Sequence, residues 1–505
     1  MSKRLIRNSA FGLIGSLTTT FGSFASNLIM ARALGVEGTG IVTYAIWLAT
    51  TAVTLSSVGV PFTLGRYLPE LQSQGQPDAA AQLNAYLLRP YAILSLAMPL
   101  ALVAYAFALP SSFGDFGTHA TPTLWFLIAA CALTQSMADF ARGHLRGVQK
   151  FDYVAKASFV SAICQPFVIW GASRYFGPTG ALSGYIVGNA ISALLIFTLP
   201  KPLKGISAEL RSRVLRCASY RWLAEIMAAF VWSRLEVFFL QLSWGSGSIG
   251  LFNSGLTLSN LAVQLPVMLT WGLIPHFAER VGRKEFDRVG QDYQTGTRMM
   301  AFMLLPSCIG LSVIMPVVLP LLYGPQFADA TTLAIILVCG AGLASTTTIA
   351  WNVIWAMERT DIDLFLGVIG AIVALIGDLT IIPTYGPVGA AISRVAAQST
   401  VSILTVLFVV RSLRISLPIM DLGKILISAL ACGVAARLSI IVVPGPQGLP
   451  LAISLAVVVY LMAIRITKAL PESDIARFRS LALALPPGLS APAHRILNAF
   501  SGRGP

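Results

Sequence analysis

Charge is what this chain has least of. Only 11% of its residues are charged, 56% are hydrophobic, and mean hydropathy is +0.76. At 505 residues it lacks the polar surface a water-soluble protein needs, which excludes soluble enzymes together with disordered and fibrous classes. Cysteine is scarce as well. Five of the six lie in hydrophobic stretches and Cys217 in a basic connection, with no spacing that suggests a metal site or a disulfide framework. The four histidines, His119, His144, His276 and His494, are scattered, so no metal-ligand set is read from them. No cofactor is expected.

Long apolar runs are abundant instead. Windows of about 20 mostly apolar residues mark membrane-crossing helices. They occur at 10–31, 41–64, 90–109, 121–141, 155–173, 179–199, 222–242, 249–275, 299–320, 331–355, 364–383, 388–410, 425–443 and 449–467. The expectation is an all-α polytopic membrane protein with 14 transmembrane helices, the first an uncleaved signal anchor. Odd-numbered connections are short and nearly free of Lys and Arg; the even-numbered ones 142–154, 200–221, 276–298 and 411–424 are basic. The excess of 35 Lys and Arg over 21 Asp and Glu, +14, gathers on the side of the N-terminus, with Arg32 and Arg174 as the exceptions opposite. By the positive-inside rule both termini are cytoplasmic. The charge thus reports topology, and no nucleic-acid partner is expected.

The chain repeats itself. Leu34-Gly35-Val36-Glu37-Gly38-Thr39-Gly40 returns 210 residues later as Trp244-Gly245-Ser246-Gly247-Ser248-Ile249-Gly250. Tyr175-Phe176-Gly177-Pro178-Thr179-Gly180-Ala181 returns at an offset of 209 as Thr384-Tyr385-Gly386-Pro387-Val388-Gly389-Ala390. Six spans per copy is an even number, so the copies run in parallel, with a site expected around a central cavity between them. The predicted division is a six-helix lobe at 1–199, a cytoplasmic connection at 200–221, a second six-helix lobe at 222–410, two additional helices at 411–467 and a cytoplasmic tail at 468–505. Residues 205–217 and 472–485 are amphipathic enough to lie as interfacial helices, and the Pro/Gly-rich stretch from Pro486 to Pro505 reads as loose.

Polar side chains inside a span should face another helix or a wet cavity. In span 8, Asn253, Thr257, Asn260 and Gln264 share one helix face, and 210 residues earlier Thr43, Trp47, Thr50 and Thr54 occupy the same face of span 2. Span 1 carries Ser16, Thr20, Ser23 and Asn27. A shared hydrophilic cavity accounts for the set, with hydrogen bonding between helices as the other reading of any single residue. Deep charges are Arg234, Glu236, Asp378, Arg394 and Arg437. Arg234 and Glu236, two residues apart, cannot share a helix face. Arg234 is the candidate phosphate ligand, since a guanidinium binds phosphate bidentately; a pairing with a neighbouring carboxylate remains open. Arg394 is a second lumen candidate, and Glu236 or Asp378 is a candidate for ion coupling. Asp139 and Arg142 read as a self-paired i,i+3 couple. Pro61, Pro99, Pro166, Pro266 and Pro306 interrupt spans as candidate hinges.

Two motifs mislead. Gly245-x-Gly247-x-x-Gly250 matches a dinucleotide fingerprint but follows a membrane helix and not a strand. Asp361-Ile362-Asp363 sits in a connection too short to cradle a nucleotide sugar. With no outside connection long enough for a catalytic domain, no enzyme is expected, which sets aside a membrane glycan polymerase or ligase.

The stretch from Asn27 to Gly35, continuing to Gly38 and Gly40, resembles bacterial polysaccharide-export flippases of the multidrug/oligosaccharidyl-lipid/polysaccharide superfamily. Gly59 with Arg66 and Glu70 is similar, as are Arg146-Gly147-Val148-Gln149 and Leu322-Tyr323-Gly324-Pro325-x-Phe327. The resemblance extends over about residues 8–410. It implies two six-helix lobes around a cavity lined by spans 1, 2, 7 and 8, whose basic groups meet the pyrophosphate and sugars of a polyprenyl-linked oligosaccharide. Alternating access would carry that headgroup from the cytoplasmic to the outer leaflet of a bacterial inner membrane, as an O-antigen, capsule or exopolysaccharide repeat unit. A glycan polymerase and a chain-length regulator are candidate partners. The interior departs from that pattern in holding only three deep arginines. A multidrug/cation antiporter of the same superfamily and a flippase for the lipid-linked peptidoglycan precursor are the alternatives.

Overall fold

A backbone in hydrocarbon finds no water to bond, so each amide must be satisfied within its own segment, and an apolar chain such as this one becomes helix. The computed structural model describes residues 3–108, 122–199, 205–232, 235–270, 273–415, 417–471 and 474. Its regular elements are all helical among those residues. The first group is α1 (Lys3–Ser57), α2 (Val60–Ser73), α3 (Pro77–Ala108), α4 (Pro122–Gly147), α5 (Phe151–Ala193) and α6 (Ala208–Trp232). Next come α7 (Glu236–Trp244), α8 (Ser246–Leu269), α9 (Leu273–Gly282), α10 (Phe286–Tyr323), α11 (Thr331–Thr346) and α12 (Thr348–Ala356). The last are α13 (Thr360–Thr380), α14 (Ile382–Leu413), α15 (Ile419–Val442) and α16 (Leu449–Thr467). Ten helices are long and apolar enough to cross a membrane among the described residues. Two of them, Ile14–Ser57 at 44 residues and Phe151–Thr198 at 48, are each about twice the length one crossing needs. They kink at Gly35 and Gly177, the glycines of the duplicated motifs.

The backbone repeats along with the sequence. Gly177 at φ 57, ψ −136 is matched 209 residues later by Gly386 at φ 56, ψ −132. Gly35 at φ 71 is matched by Gly245 at φ 78, Gly75 by Lys284, Gln149 by Glu358 and Gly205 by Arg414, all with positive φ. Positive φ is sparse for residues with a Cβ, so a coincidence of five such turns, four at a spacing of 209 and one at 210, is the mark of a duplicated fold.

Chain contacts divide the molecule into two units. The first holds Met1–Thr257, Leu322–Ala330 and Gly370–Arg394; the second holds Leu258–Leu321, Thr331–Ile369 and Val395–Pro505. Within the first, the duplicated glycine motifs meet reciprocally. A methyl group on Gly40 would lie 1.6 Å from the carbonyl oxygen of Ser246, and one on Gly250 would lie 2.0 Å from that of Val36. Each glycine faces the counterpart of the residue its own counterpart faces, the geometry of a twofold contact. The supposed nucleotide fingerprint is therefore a pair of small residues that lets two helices cross closely, at a turn between helices α7 and α8.

α6 also packs inward. Val214 is fully buried, and Ile206, Leu210 and Cys217 join a core cluster with Leu64, Tyr67 and Leu68 of α2 and Leu83 of α3. Arg213 ties the same helix to Glu70 at 2.9 Å, and that carboxylate raises the pKa of Arg213 above its ordinary value. In the second unit, α15 and α16 pack together through Cys432, Ala436, Ala452 and Tyr460. There Arg298 of α10 donates to Asp474 at 2.8 Å, with Asp421 at 3.6 Å, and Asp474 is fully buried. The predicted helix at 472–485, apart from Asp474, and the tail from Pro486 lie outside the described residues.

Candidate functional site

A cavity of about 1000 Å³ opens inside the first unit, at the upper end of the range for ligand pockets. Its walls mix apolar groups such as Ile46 and Phe62 with neutral polar ones: Thr19 and Ser23 from α1, Gln135 from α4, and Gln165, Tyr185 and Asn189 from α5. The rim is charged by Arg66 of α2, Asp139, Arg142 and Arg146 of α4, and Arg221 and Glu225 of α6. These lie at the span ends that the charge pattern assigns to the cytoplasmic side.

α4 shows how the sequence builds that rim. Gly143 and Gly147, one turn apart, leave no room for a Cβ against Pro61 and Leu64 of α2, so α4 packs tightly there. Arg142 and Arg146, one residue earlier in each turn, fall on the adjacent face and reach the cavity. They also sit in the last turns of the helix, where its dipole favours cations. Two of the four rim arginines have carboxylate partners on their own helices: Arg142 with Asp139 at 2.7 Å and Arg221 with Glu225 at 3.1 Å. Arg221 also lies 4.6 Å above the ring of Phe62. Arg66 stacks on Tyr67 at 5.7 Å, and neither it nor Arg146 makes an ion pair among the described residues. Four guanidinium groups against two carboxylates leave the rim at +2.

A second polar centre is closed. Arg394 of α14 donates to Glu236 of α7 at 3.2 Å and 3.4 Å, both side chains being almost fully buried. The neighbouring Ser393 donates its hydroxyl to Asp378 of α13, which is fully buried and whose second oxygen has no hydrogen-bond partner among the described residues. Three of the charges singled out in the sequence, Glu236, Asp378 and Arg394, are thus gathered in one cluster. Arg394, expected at a lumen, spends its charge on a carboxylate. Arg234 lies outside the described residues.

The polar stripes scatter. Of the span 2 residues, Thr50 lines the cavity. Thr43 is buried, Trp47 stacks on Tyr44 and on Phe238 at 6.0 Å, and Thr54 bonds back to Thr50 at 2.9 Å. Asn253 is buried and its carbonyl accepts from Thr257 at 2.7 Å, Gln264 is half-buried, and Asn260 is exposed. Asn27 accepts from the hydroxyl of Tyr323 at 3.4 Å. Arg32 donates to the carbonyl of Leu322 at 2.6 Å, and Gly35 lies against Gln326. The two family motifs around Asn27 and Leu322 are therefore packed against each other. The arginines the sequence reading missed as cavity groups are Arg66, Arg142, Arg146 and Arg221. Their signal was that basic motif positions cluster at the ends of spans 2 and 4 and the start of span 7, all on one predicted face.

The profile of the family described as polysaccharide biosynthesis protein matches residues 5–281. The chain belongs to that family. A second profile, lipid II flippase MurJ, matches residues 233–472. The chain is 21% identical over 442 residues to the probable flippase AglR of Haloferax volcanii, covering 85% of this chain and 89% of that protein. It is 24% identical over 207 residues to the uncharacterized membrane protein MJ1375 of Methanocaldococcus jannaschii, a match spanning 46% of that relative's length. In fold it is similar to lipid II flippase MurJ in an inward closed conformation, with TM-score 0.73 at 15% identity over 90% of this chain and 98% of that one. An inward-facing multidrug resistance MATE transporter of the MOP superfamily has TM-score 0.64 at 13% identity, over 78% and 94%. This member of the polysaccharide biosynthesis protein family is a multi-pass membrane protein whose fold is that of the flippase and transporter structures above.

Proposed function

We propose that the protein is a flippase that moves a polyprenyl-pyrophosphate-linked oligosaccharide, the repeat unit of an O-antigen, capsule or exopolysaccharide, from the cytoplasmic to the outer leaflet of a bacterial inner membrane. The observation that carries the reading is the cavity: amide and hydroxyl side chains over its walls and a net positive rim of arginines. A cationic drug would be repelled by that rim, whereas a phosphate-bearing sugar meets charge at the rim and hydrogen-bond partners within. Transport proceeds by alternating access of the duplicated halves, 1–199 and 222–410, with both termini cytoplasmic. The headgroup trades its hydration for cavity groups, since it cannot cross bare hydrocarbon, while the polyprenyl chain stays in lipid. Glu236 and Asp378, two buried carboxylates near one guanidinium, are the groups through which an ion or proton would couple to the cycle. A second reading, transport of the lipid-linked peptidoglycan precursor, draws on the match of residues 233–472 to the MurJ profile.

The test is leaflet transfer in proteoliposomes. The purified protein should move a fluorescent polyprenyl-diphosphate oligosaccharide between leaflets and leave a cationic dye gradient untouched. Dye efflux without lipid transfer would replace the flippase reading by the antiporter, and transfer confined to the peptidoglycan precursor would establish the second reading.

A further inference from the structure

The duplication leaves one helix face in two different states. α3 and α10 begin 209 residues apart, at Pro77 and Phe286, which is also the spacing of the turns at Gly75 and Lys284. At that spacing Arg89 of α3 corresponds to Arg298 of α10, and Ile93, Leu96 and Leu100 correspond to Phe302, Leu305 and Ile309. The four positions run i, i+4, i+7 and i+11, one stripe along each helix. In the second unit the stripe is covered. Phe302, Leu305 and Ile309 pack on the core formed with α15 and α16, and Arg298 is buried against Asp474 at 2.8 Å. In the first unit the stripe is open: Ile93, Leu96 and Leu100 are 67%, 51% and 58% exposed. Arg89 is exposed as well and makes no ion pair among the described residues.

A second cation stands close by. Arg211 of α6 lies 5.8 Å from the ring of Tyr86, which precedes Arg89 by three residues and so neighbours it on α3. Arg211 is exposed, also without an ion pair among the described residues, and its counterpart in the second copy is Met420. We propose that this face of α3, together with Arg211, binds an anionic phospholipid, with the phosphate between Arg89 and Arg211 and an acyl chain along Ile93, Leu96 and Leu100. The lipid does for the first copy what a carboxylate and two helices do for the second.

Charge favours a lipid over a protein partner here. One carboxylate answers the single guanidinium of α10, whereas a phosphate accepts charge-assisted bonds from two. Depth agrees. The helix Pro77–Ala108 is apolar enough to cross a membrane and its apolar window opens at residue 90, so Arg89 marks the level where hydrocarbon gives way to headgroups. From Arg89 to Leu100 the stripe runs about 16 Å, close to half of a hydrocarbon core about 30 Å thick, which is the depth of one leaflet. The charge pattern assigns that end to the cytoplasmic side, where basic residues draw anionic lipids. No residue of α3 lines the cavity, so the inference does not depend on the cargo.

The purified full-length protein in detergent is titrated with phosphatidylglycerol and with phosphatidylcholine of the same acyl chains, and retained lipid is counted by native mass spectrometry. The parent should retain one phosphatidylglycerol at a concentration about tenfold or more below that needed for phosphatidylcholine. Arg89→Gln and Arg211→Gln should each weaken that retention about fivefold, the effect of one basic residue at an anionic surface. Arg216→Gln, also on α6 but about 140° round the helix from Arg211, should retain the lipid as the parent does. Arg211→Gln, at an exposed position, decides the matter if Arg89→Gln fails to fold. Unchanged retention in the arginine variants overturns the site, as does equal retention of phosphatidylcholine. Displacement by glycerol phosphate at equal concentration overturns it too, by reducing the face to a soluble-phosphate site. So does a parent that dimerises in phosphatidylcholine nanodiscs and separates on Arg89→Gln, which would give the face to a second copy of the chain.

Discussion

Twice in this protein, 209 residues apart, a helix ends on the same left-handed turn, first behind Arg142 and Arg146 and then behind Trp351 and Trp355. The first pair lines the cavity; the rings of the second pair lie against each other, tilted by 39° with centroids 6.1 Å apart. Backbone geometry was retained through the duplication, and charge was not. In the first copy, cations are exposed to a cavity with too few carboxylates to neutralise them. Arg394, in the second copy, is buried on Glu236. Positions that shape the chain and positions that meet a solute have thus diverged separately, and only the former are symmetric.

The largest test of that contrast removes the buried cation. Arg394→Met removes the one positive partner of Glu236 among the described residues, and breaking a buried pair is expected to cost about 3–5 kcal/mol. Thermal unfolding of the purified protein in detergent measures the loss. Adding Glu236→Gln and Asp378→Asn should restore most of it; if the triple variant melts as low as the single one, the cluster is not held by charge.

Smaller and symmetric effects are expected where the copies cross. Gly40→Ala and Gly250→Ala each push a methyl group into a carbonyl oxygen of the opposite copy, for about 1–3 kcal/mol of overpacking. The two melting temperatures should fall alike. A large loss from one and none from the other would show that the contact is not reciprocal in solution.

The kink glycines provide the smallest difference. Alanine at Gly177 or Gly386 forces a side chain into a backbone region that glycine favours, about 1–3 kcal/mol of strain. Gly177 has open space around it, whereas a Cβ on Gly386 would also meet the indole of Trp244 at 2.9 Å, so Gly386→Ala should be the more destabilising by the same melting measurement. Equal losses would mean that strain alone decides.

Much of the fold was legible because membrane helices declare themselves locally. The apolar windows carry their own signal, and the duplication surfaced through glycines whose φ values leave few other residues possible, as at Gly177 and Gly386. The site was harder to read. Its four arginines come from three separate helices, α2, α4 and α6, and Asp139 with Arg142 looked complete as a local pair, which it is in distance but not in surroundings. Glu236 and Arg394 are 158 residues apart, and nothing near either one in sequence announces the other. The apolar side of α6 reads equally well as facing lipid or protein; that α2 and α3 cover it is a tertiary fact. Asn27 and Leu322 belong to motifs whose letters are visible while their mutual contact is not.

The bond between Arg298 and Asp474 has a practical side. Residues past α16 look dispensable by composition, yet one of them supplies the carboxylate that occupies a guanidinium deep against α10. Anyone shortening this protein for crystallisation or fusing a reporter to its end would do well to cut or join downstream of Asp474, since a version ending at α16 would leave Arg298 to the more distant carboxylate of Asp421 at 3.6 Å.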